Sequence, residues 1–215
     1  KGVHELSNGQ ILTWGDDGTL RLWSVDRTDV GSLANRTVRD FNKLSNGKIL
    51  SWGDDGTLRL WSSDGTAIAT LLGKSFHELS NGQILSWGDD GMLRLWSSDG
   101  TAIATLTGHT GGVKGVHELS NGQILSSSSS ENSLHLWNRN GELVNILTGH
   151  EDDILGVIEL DNKLILSWSL DNTLRLWNDD GSLNSILLEY TTRLHLKSLE
   201  KNKILFWSPE DNKLF

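Results

Sequence analysis

Apolar and polar residues alternate along short stretches of the chain, and each stretch ends at a Gly, Asn or Asp. In "HELSNGQILSW" at 77–87, Asn-Gly at 81–82 separates two short apolar runs, which favours a two-residue hairpin turn with positive φ. Asp-Asp-Gly at 89–91 and Ser-Asp-Gly at 98–100 predict two further tight turns. The period of two therefore predicts four short antiparallel strands in succession, here called a to d, and argues against helix.

This four-stranded unit occurs six times. An Ile opens strand b of each copy, and successive Ile residues are 38, 35, 40, 41 and 39 residues apart, at Ile11, Ile49, Ile84, Ile124, Ile165 and Ile204. A repeat of about 40 residues with four strands is typical of a β-propeller. Because one small sheet has two faces to cover, identical neighbours cover them by packing face to face around an axis. The pattern therefore predicts an all-β propeller of four-stranded antiparallel blades.

The copies divide the chain into one domain with six blades. The predicted blades are residues 1–36, 37–72, 73–110, 111–152, 153–190 and 191–215. The sixth copy ends inside strand c, so the last blade is predicted to be incomplete and to leave a strand edge unpaired. We therefore expect a part of a larger chain or assembly, or self-association through the incomplete blade.

Two short motifs recur at fixed places in the copies. Gly-His stands before strand a at 108–109 and 149–150, and Thr-Leu-Arg-Leu-Trp forms strand c at 19–23, 57–61 and 173–177. In these motifs the chain resembles the WD-repeat family of β-propellers, whose repeats carry Gly-His before strand a and Trp, usually Trp-Asp, at the end of strand c. Ser or Asn replaces that Asp in the five copies that contain the position. The resemblance covers the whole chain and implies the fold, while it leaves the function open.

The resemblance also implies a structural hydrogen-bond network in each blade. Its members are the loop His, a Ser or Thr of strand b, the Asp of the b–c turn and the strand-c Trp. By position the network is complete only in the fifth copy, as His150, Ser167, Asp171 and Trp177. In the fourth copy the b–c turn is one residue longer, and Glu131 stands near the Asp position. Blades that lack members are expected to be weaker, because buried polar networks stabilise only when their partners are satisfied.

No motif in the sequence predicts catalysis, a cofactor or a metal site. Ser, His and Asp are the residue types of a catalytic triad, but no nucleophile-elbow motif presents the Ser. The Asp-Asp-Gly turns at 16–18, 54–56 and 89–91 lack the alternating oxygen ligands of a calcium loop. The Gly residues punctuate hairpins and form no phosphate-binding loop. We therefore predict a protein that is not an enzyme and has no cofactor and no metal.

Composition and charge limit the class of partner. Lys and Arg number 19 against 28 Asp and Glu, a net charge of −9 that repels a phosphate backbone, so nucleic acid is not expected. No apolar run reaches the roughly 20 residues of a membrane helix, so no membrane contact is expected. The absence of Cys fits a reducing compartment, and we expect a cytoplasmic protein.

The candidate partner-binding residues lie in loops at one end of the predicted blades. In a four-stranded meander the b–c and d–a loops share one end, and there the chain places carboxylates at Asp16, Asp54, Asp89, Glu131, Glu151, Asp152 and Asp153. Such a ring of carboxylate side chains attracts a basic protein segment over long range. The sequence therefore predicts a protein–protein interaction scaffold or sensor module.

Two alternatives stay open beside the scaffold. The ten Trp residues, all at the ends of strands b and c, favour packing, but stacked aromatic faces also suit a glycan-binding propeller lectin. Near-identical copies, such as "SSDGTAIATL" at 62–71 and 97–106, indicate an amplified or designed propeller with no dedicated ligand. The copies differ most at 25–37, 126–132 and 149–155, where either a binding site or drift breaks the symmetry.

Overall fold

Antiparallel β-sheets follow one another along the chain. The computed structural model describes residues 2–6, 8–26, 28–33, 38–189, 195–199, 203–208 and 213–214. In these ranges five sheets have four strands each, in sequence order, and a sixth has three. None of these residues is helical. The predicted all-β fold of four-stranded antiparallel blades is confirmed.

The sheets belong to two units, Lys1–Thr105 and Leu106–Phe215. The first three sheets contain β1 (Gly2–Glu5), β2 (Ile11–Trp14), β3 (Leu20–Trp23), β4 (Asp29–Leu33), β5 (Val38–Lys43), β6 (Ile49–Gly53), β7 (Thr57–Trp61), β8 (Ala67–Leu72), β9 (Ser75–Glu78), β10 (Ile84–Trp87), β11 (Leu93–Trp96) and β12 (Ala102–Leu106). The second three contain β13 (Val113–Glu118), β14 (Ile124–Ser128), β15 (Leu134–Trp137), β16 (Leu143–Leu147), β17 (Ile154–Glu159), β18 (Ile165–Ser169), β19 (Thr173–Trp177), β20 (Leu183–Glu189), β21 (His195–Leu199), β22 (Lys203–Ser208) and β23 (Lys213–Leu214).

Some predictions fall partly outside the described residues. The variable stretch 25–37 includes residues 27 and 34–37, and the predicted last blade includes 191–194, 200–202, 209–212 and 215, all of which lie outside them. Self-association through that blade and the blade boundaries therefore stay predictions.

The a–b turn of the third sheet differs from its predicted form. Leu79 N–H donates to the carbonyl of Gln83, and Gly82 N–H donates to the carbonyl of Leu79, both at 2.8 Å. The hairpin loop therefore has three residues, 80–82, of which only Gly82 has positive φ, at 80°. Asn81 Oδ1 accepts the N–H of Gln83 at 3.0 Å. The predicted two-residue turn is wrong, because a type I turn followed by a left-handed Gly uses one residue more.

The apolar core lies between successive sheets of each unit. In the first unit, Ile49 of the second sheet packs in a cluster with Leu12 and Leu22 of the first, and Ile84 of the third packs with Leu50 and Leu60 of the second. In the second unit one cluster joins the fourth and fifth sheets through side chains at most 3% exposed, namely Leu119, Leu125, Leu134, Leu136, Leu147, Ile165 and Trp177. The Ile that opens strand b of the second, third and fifth sheets thus packs against the preceding sheet of its own unit, which keeps the apolar faces from water.

A β-bulge lies at the same repeat position in β13 and β17. Beside it, Gly115 is opposite Ser127, and Gly156 is opposite Trp168. A Cβ atom on Gly115 would be 3.4 Å from Ser127 Oγ, which is an ordinary contact, whereas a Cβ atom on Gly156 would overlap the indole of Trp168. The fifth sheet therefore needs glycine at this position for a packing reason that the fourth does not share.

We expect Gly156→Ala to lower the free energy of unfolding by about 1–3 kcal/mol, because the added methyl group forces a rigid ring to move. Gly115→Ala is the matched control, and we expect it to change stability by less than about 0.5 kcal/mol. Urea denaturation followed by Trp fluorescence measures both. Equal losses in the two variants would contradict the packing of Trp168 on Gly156.

Candidate functional site

Four side chains of the fifth sheet form a buried chain of hydrogen bonds. Ser167 Oγ accepts the indole N–H of Trp177 at 2.8 Å and donates to His150 Nε2 at 2.8 Å. His150 Nδ1–H donates to Asp171 Oδ2 at 2.8 Å. The side chains of His150 and Asp171 are 0% and 6% exposed. The structure thus brings the four residues of the predicted network together.

The surroundings keep His150 neutral and Asp171 ionised. Burial lowers the pKa of His150 below its usual 6.5, against the opposing effect of Asp171. Burial raises the pKa of Asp171, but hydrogen bonds from Glu151 N–H, the Thr173 hydroxyl and His150 outweigh it and lower that pKa to about 2. Ser167 is 0% exposed and its oxygen already accepts from Trp177, so this Ser-His-Asp arrangement is closed to a substrate.

We expect the free energy of unfolding to fall as the pH drops below about 6.5, because the unfolded His150 binds a proton that the folded chain excludes. Because the pKa of His150 is lower in the folded chain, its contribution to stability is complete above pH 6.5 and is lost as the pH falls below that value. The contribution of Asp171 is complete above its usual 3.8 and is lost as the pH falls to about 2. Urea unfolding of the native chain and of His150→Gln at about pH 7.5 and 5.5 tests the first window. The stability difference between the two chains should shrink at the lower pH, and a constant difference would contradict the assignment.

The fourth sheet builds the same network with a longer acid. Ser126 Oγ accepts the Trp137 indole N–H at 2.8 Å and donates to His109 Nε2 at 2.7 Å. His109 Nδ1–H donates to Glu131 Oε2 at 2.6 Å. The prediction that only the fifth copy completes the network is wrong, because Glu131 and the extra turn residue together reach the place of the missing Asp.

His135 is a member of this cluster that the sequence analysis missed. It lies on β15 opposite Ser126, and its ring stacks on His109 with centroids 3.8 Å apart. Its Nε2 lies 3.2 Å from Glu131 Oε2. Burial, and then the neighbouring His109, lower the pKa of His135 to about 4, so the ring is neutral. The signal was available in the sequence, because the same register position opposite strand b holds an arginine in four other sheets, as Arg21, Arg59, Arg94 and Arg175.

The first three sheets have a shorter network without the loop His. The strand-c indole N–H still donates to a strand-b hydroxyl, with Trp23 bound to Thr13 at 2.8 Å and with Trp61 and Trp96 bound to Ser51 and Ser86 at 2.9 Å. Across the five four-stranded sheets, every strand-c indole N–H therefore has a partner inside its own sheet. These side chains pack the blades, and their occupied N–H groups do not favour the glycan-binding alternative.

The predicted partner-binding carboxylates fall into three kinds of surroundings. Three of them form ion pairs with a neighbouring base, as Asp54 with Arg39, Asp89 with Lys74 and Asp153 with Lys114. Glu131 is only 14% exposed and belongs to the buried histidine cluster. Asp16, Glu151 and Asp152 are exposed. Asp16, Asp54 and Asp89 lie in the first unit and the other four in the second, so the acidic ring as a whole stays a prediction.

The loop that carries Glu151 and Asp152 is held by its backbone. The N–H of Glu151 donates to Asp171 at 2.9 Å, and the carbonyl of Asp152 accepts the Ser169 hydroxyl at 2.8 Å. Asp152 Oδ1 also accepts the N–H of Asp153 at 2.7 Å. The histidine network therefore fixes the position of the loop while both exposed carboxylates face solvent.

A groove of about 390 Å³ opens between β13 and β17 in the second unit. Lys114 and Asp153, paired at 2.8 Å, are among its lining residues. The two bulge glycines and apolar side chains from both strands also line it, namely Gly115, Val116, Ile154, Leu155, Gly156 and Val157. An apolar side chain of a partner fits such a groove, which has a charged pair beside it.

Solved structures share this fold. The chain is similar to the computationally designed Ika8 protein, with 19% identity, a TM-score of 0.67 and coverage of 99% of this chain and 68% of that one. It is similar to the WD40 β-propeller domain of Doa1, with 21% identity, a TM-score of 0.59 and coverage of 99% and 76%. The C-terminal WD40 domain of Sif2 gives 18% identity, a TM-score of 0.63 and coverage of 98% and 67%. At these identities the likeness shows the β-propeller fold alone.

The sequence also matches a family model, described as WD domain, G-beta repeat, over residues 100–138 and 141–178. These two stretches are therefore similar to WD repeats. The resemblance found in the sequence is thereby confirmed. WD-repeat propellers typically serve as scaffolds for protein–protein interaction and are generally not enzymes. No curated protein gave a significant match to this chain. Within the ranges that the structure describes, no helix is long and apolar enough to cross a membrane.

Proposed function

We propose that this chain is a non-enzymatic platform that binds a basic segment of a partner protein at the loop containing Glu151 and Asp152. The observation that carries the proposal is the excess of negative charge in the unit that contains that loop. Residues 106–189 contain four Lys and Arg against twelve Asp and Glu, so they account for most of the net charge of −9. An electrostatic potential of one sign raises the local concentration of oppositely charged partners and speeds their association.

The local geometry supports this location. Asp153 is neutralised by Lys114, whereas Glu151 and Asp152 are exposed and held in place by the loop backbone. The groove between β13 and β17 begins beside them, at Asp153. A segment with Lys or Arg next to an apolar residue would place the charge on the loop and the apolar side chain in the groove. Contacts of this kind favour a protein segment over a free cation.

A fluorescein-labelled peptide of alternating Lys and Leu residues tests the proposal by fluorescence anisotropy. We expect binding to weaken as salt is added, because exposed charges are screened. The double variant Glu151→Gln/Asp152→Asn should weaken binding by about 3- to 10-fold, since each exposed charge pair contributes up to about 1 kcal/mol.

The matched control is Asp161→Asn/Asp179→Asn, which makes the same change of charge in an a–b turn and a c–d turn at the other end of the fifth blade. It should weaken binding much less than the loop variant does. Equal losses would show attraction to net charge alone, and binding that salt does not weaken would contradict the proposed surface.

A further inference from the structure

The fourth blade brings two imidazole rings and one carboxylate to a single point. His109 Nδ1 and His135 Nε2 lie 2.6 and 3.2 Å from Glu131 Oε2, and all three ligating atoms lie within 4.8 Å of one another. Among the described residues this is the one cluster of three or more such groups. We propose that His109, Glu131 and His135 form a binding site for a divalent transition-metal ion, with Zn²⁺ as the ion best suited to this donor set.

The chemistry and spacing of the donors support the proposal. Zn²⁺ binds His nitrogen and carboxylate oxygen at about 2.0–2.2 Å, and three protein ligands with one water make a common tetrahedral site. Ligand atoms at those distances lie about 3.3 Å from each other in a tetrahedron. The 3.2 Å between His135 Nε2 and Glu131 Oε2 matches that value. The 2.6 Å between His109 Nδ1 and Glu131 Oε2 is a hydrogen bond, which an ion between the two groups would replace.

The donor set exists only where the chain departs from its own repeat. In the fifth blade the carboxylate is Asp171 and the strand-c position is Arg175, whose permanent charge repels a cation. In the fourth blade the longer b–c turn supplies Glu131, and His135 replaces the Arg. Replacing the Arg by His removes a positive charge and adds a nitrogen lone pair at the same position. A metal site requires both changes.

An unpartnered nitrogen provides a second, independent observation. His135 is 3% exposed as a side chain, and its Nδ1 is buried with no hydrogen-bond partner. A buried polar atom without a partner costs about 1–3 kcal/mol, so no hydrogen bond at Nδ1 holds His135 in its stacked position. Nδ1 of His135 has no hydrogen-bond partner, and Nε2 lies 3.2 Å from Glu131 Oε2. His135 is therefore the ring of the stacked pair that is able to turn.

Binding requires that turn. The two rings lie within 16° of parallel, so their in-plane lone pairs do not yet converge. When His135 tilts out of the stack, its Nε2 and His109 Nδ1 both point to an ion beside Glu131. His135 then carries its proton on Nδ1. The proton of His109 moves from Nδ1 to Nε2, so Nε2–H donates to Ser126 Oγ and the Ser126 hydroxyl no longer donates to this ring. A metal ion is therefore expected to change the packing of His135 and leave His109 in place.

The surrounding side chains hold the other two ligands. His109 Nε2 bonds to Ser126 Oγ, and the N–H of Thr110 donates to Glu131 Oε1. Such outer partners orient metal ligands, and their loss typically weakens metal binding by about 10- to 100-fold. Glu131 is the most exposed of the three, at 14%, and marks the side from which an ion enters.

Isothermal titration of the full chain with ZnCl₂, after treatment with EDTA, tests the site. We expect one ion per chain, with binding weakened at least about tenfold in His135→Arg and in Glu131→Gln because each loses a ligand. His135→Arg installs the residue of the other blades, and Arg175 shows that a blade accommodates it. His77→Gln, at an exposed His of strand a, is the matched control and should bind like the native chain.

Cobalt absorption provides a second readout that does not depend on stability. Co²⁺ in a tetrahedral site of His and carboxylate ligands absorbs in the visible range, and the bands should appear in the native chain and in His77→Gln. They should be lost in His135→Arg and in His135→Gln, whose folding is checked by urea denaturation. Absence of Zn²⁺ and Co²⁺ binding by the native chain, or undiminished binding by folded His135→Arg, would overturn the proposal.

Discussion

The variant Leu136→Ala is expected to unfold with a free energy about 2–5 kcal/mol below that of the native chain. Leu136 is 0% exposed and belongs to the cluster that joins the fourth and fifth sheets through Ile165 and Trp177. Its truncation removes apolar contacts and leaves a cavity that two sheets would have to collapse to fill. Urea denaturation followed by Trp fluorescence gives the loss directly.

Leu143→Ala is the matched control for this prediction. It makes the same chemical change on β16 of the same sheet, where Leu143 is 44% exposed. We expect it to cost less than about 1 kcal/mol, since exposed positions contribute little. If the two variants lost the same stability, packing between the sheets could not be the main source of stability in this unit.

The second large effect is expected at the centre of the histidine network. Ser167→Ala should lower the free energy of unfolding by about 2–4 kcal/mol, because it leaves His150 Nε2 and the Trp177 indole N–H without their common partner. Both side chains are almost fully buried, so water does not replace the lost hydroxyl. The free energy of unfolding in urea again measures the change.

Ser51→Ala is the control for the network. Ser51 holds the equivalent position in the second sheet and is 1% exposed, but the hydrogen bond that the structure records for its hydroxyl is to Trp61 alone. We expect a loss of about 1 kcal/mol there. A loss in Ser167→Ala no larger than in Ser51→Ala would show that the His adds nothing to the stability of the blade.

The fold was predictable because its signals are local and repeated. Each turn residue and each alternation of polar and apolar positions occurs several times, so the strands and their order followed from the spacing of Ile11, Ile49, Ile84 and their counterparts. The network of the fifth blade was predictable for a different reason. The resemblance to WD repeats assigns His150, Ser167, Asp171 and Trp177 to fixed places in a motif. Ser167 and Trp177 lie on the paired strands β18 and β19, while His150 lies in the loop before β17 and Asp171 in the turn between β18 and β19.

The candidate sites depended on facts that are not local. Asp153 is part of an acidic run in the sequence, but strand a of the preceding blade brings Lys114 within 2.8 Å and neutralises it. Glu131 was assigned to a surface loop, and the extra turn residue carries it inward to His109. The sequence pattern did not indicate these two contacts, in which the paired residues are 22 and 39 positions apart.

The sequence by itself determined the repeating unit and the order of its strands, because periodicity and turn chemistry act over neighbouring residues. The resemblance to WD repeats added the residues of the network in the fifth blade. Only the tertiary structure decided the form of the a–b turn, the pairing of the loop acids and the stacking of His135 on His109. These features depend on how neighbouring strands and blades pack. In such packing, one additional methylene in a side chain, or a displacement by one residue, changes which groups come into contact.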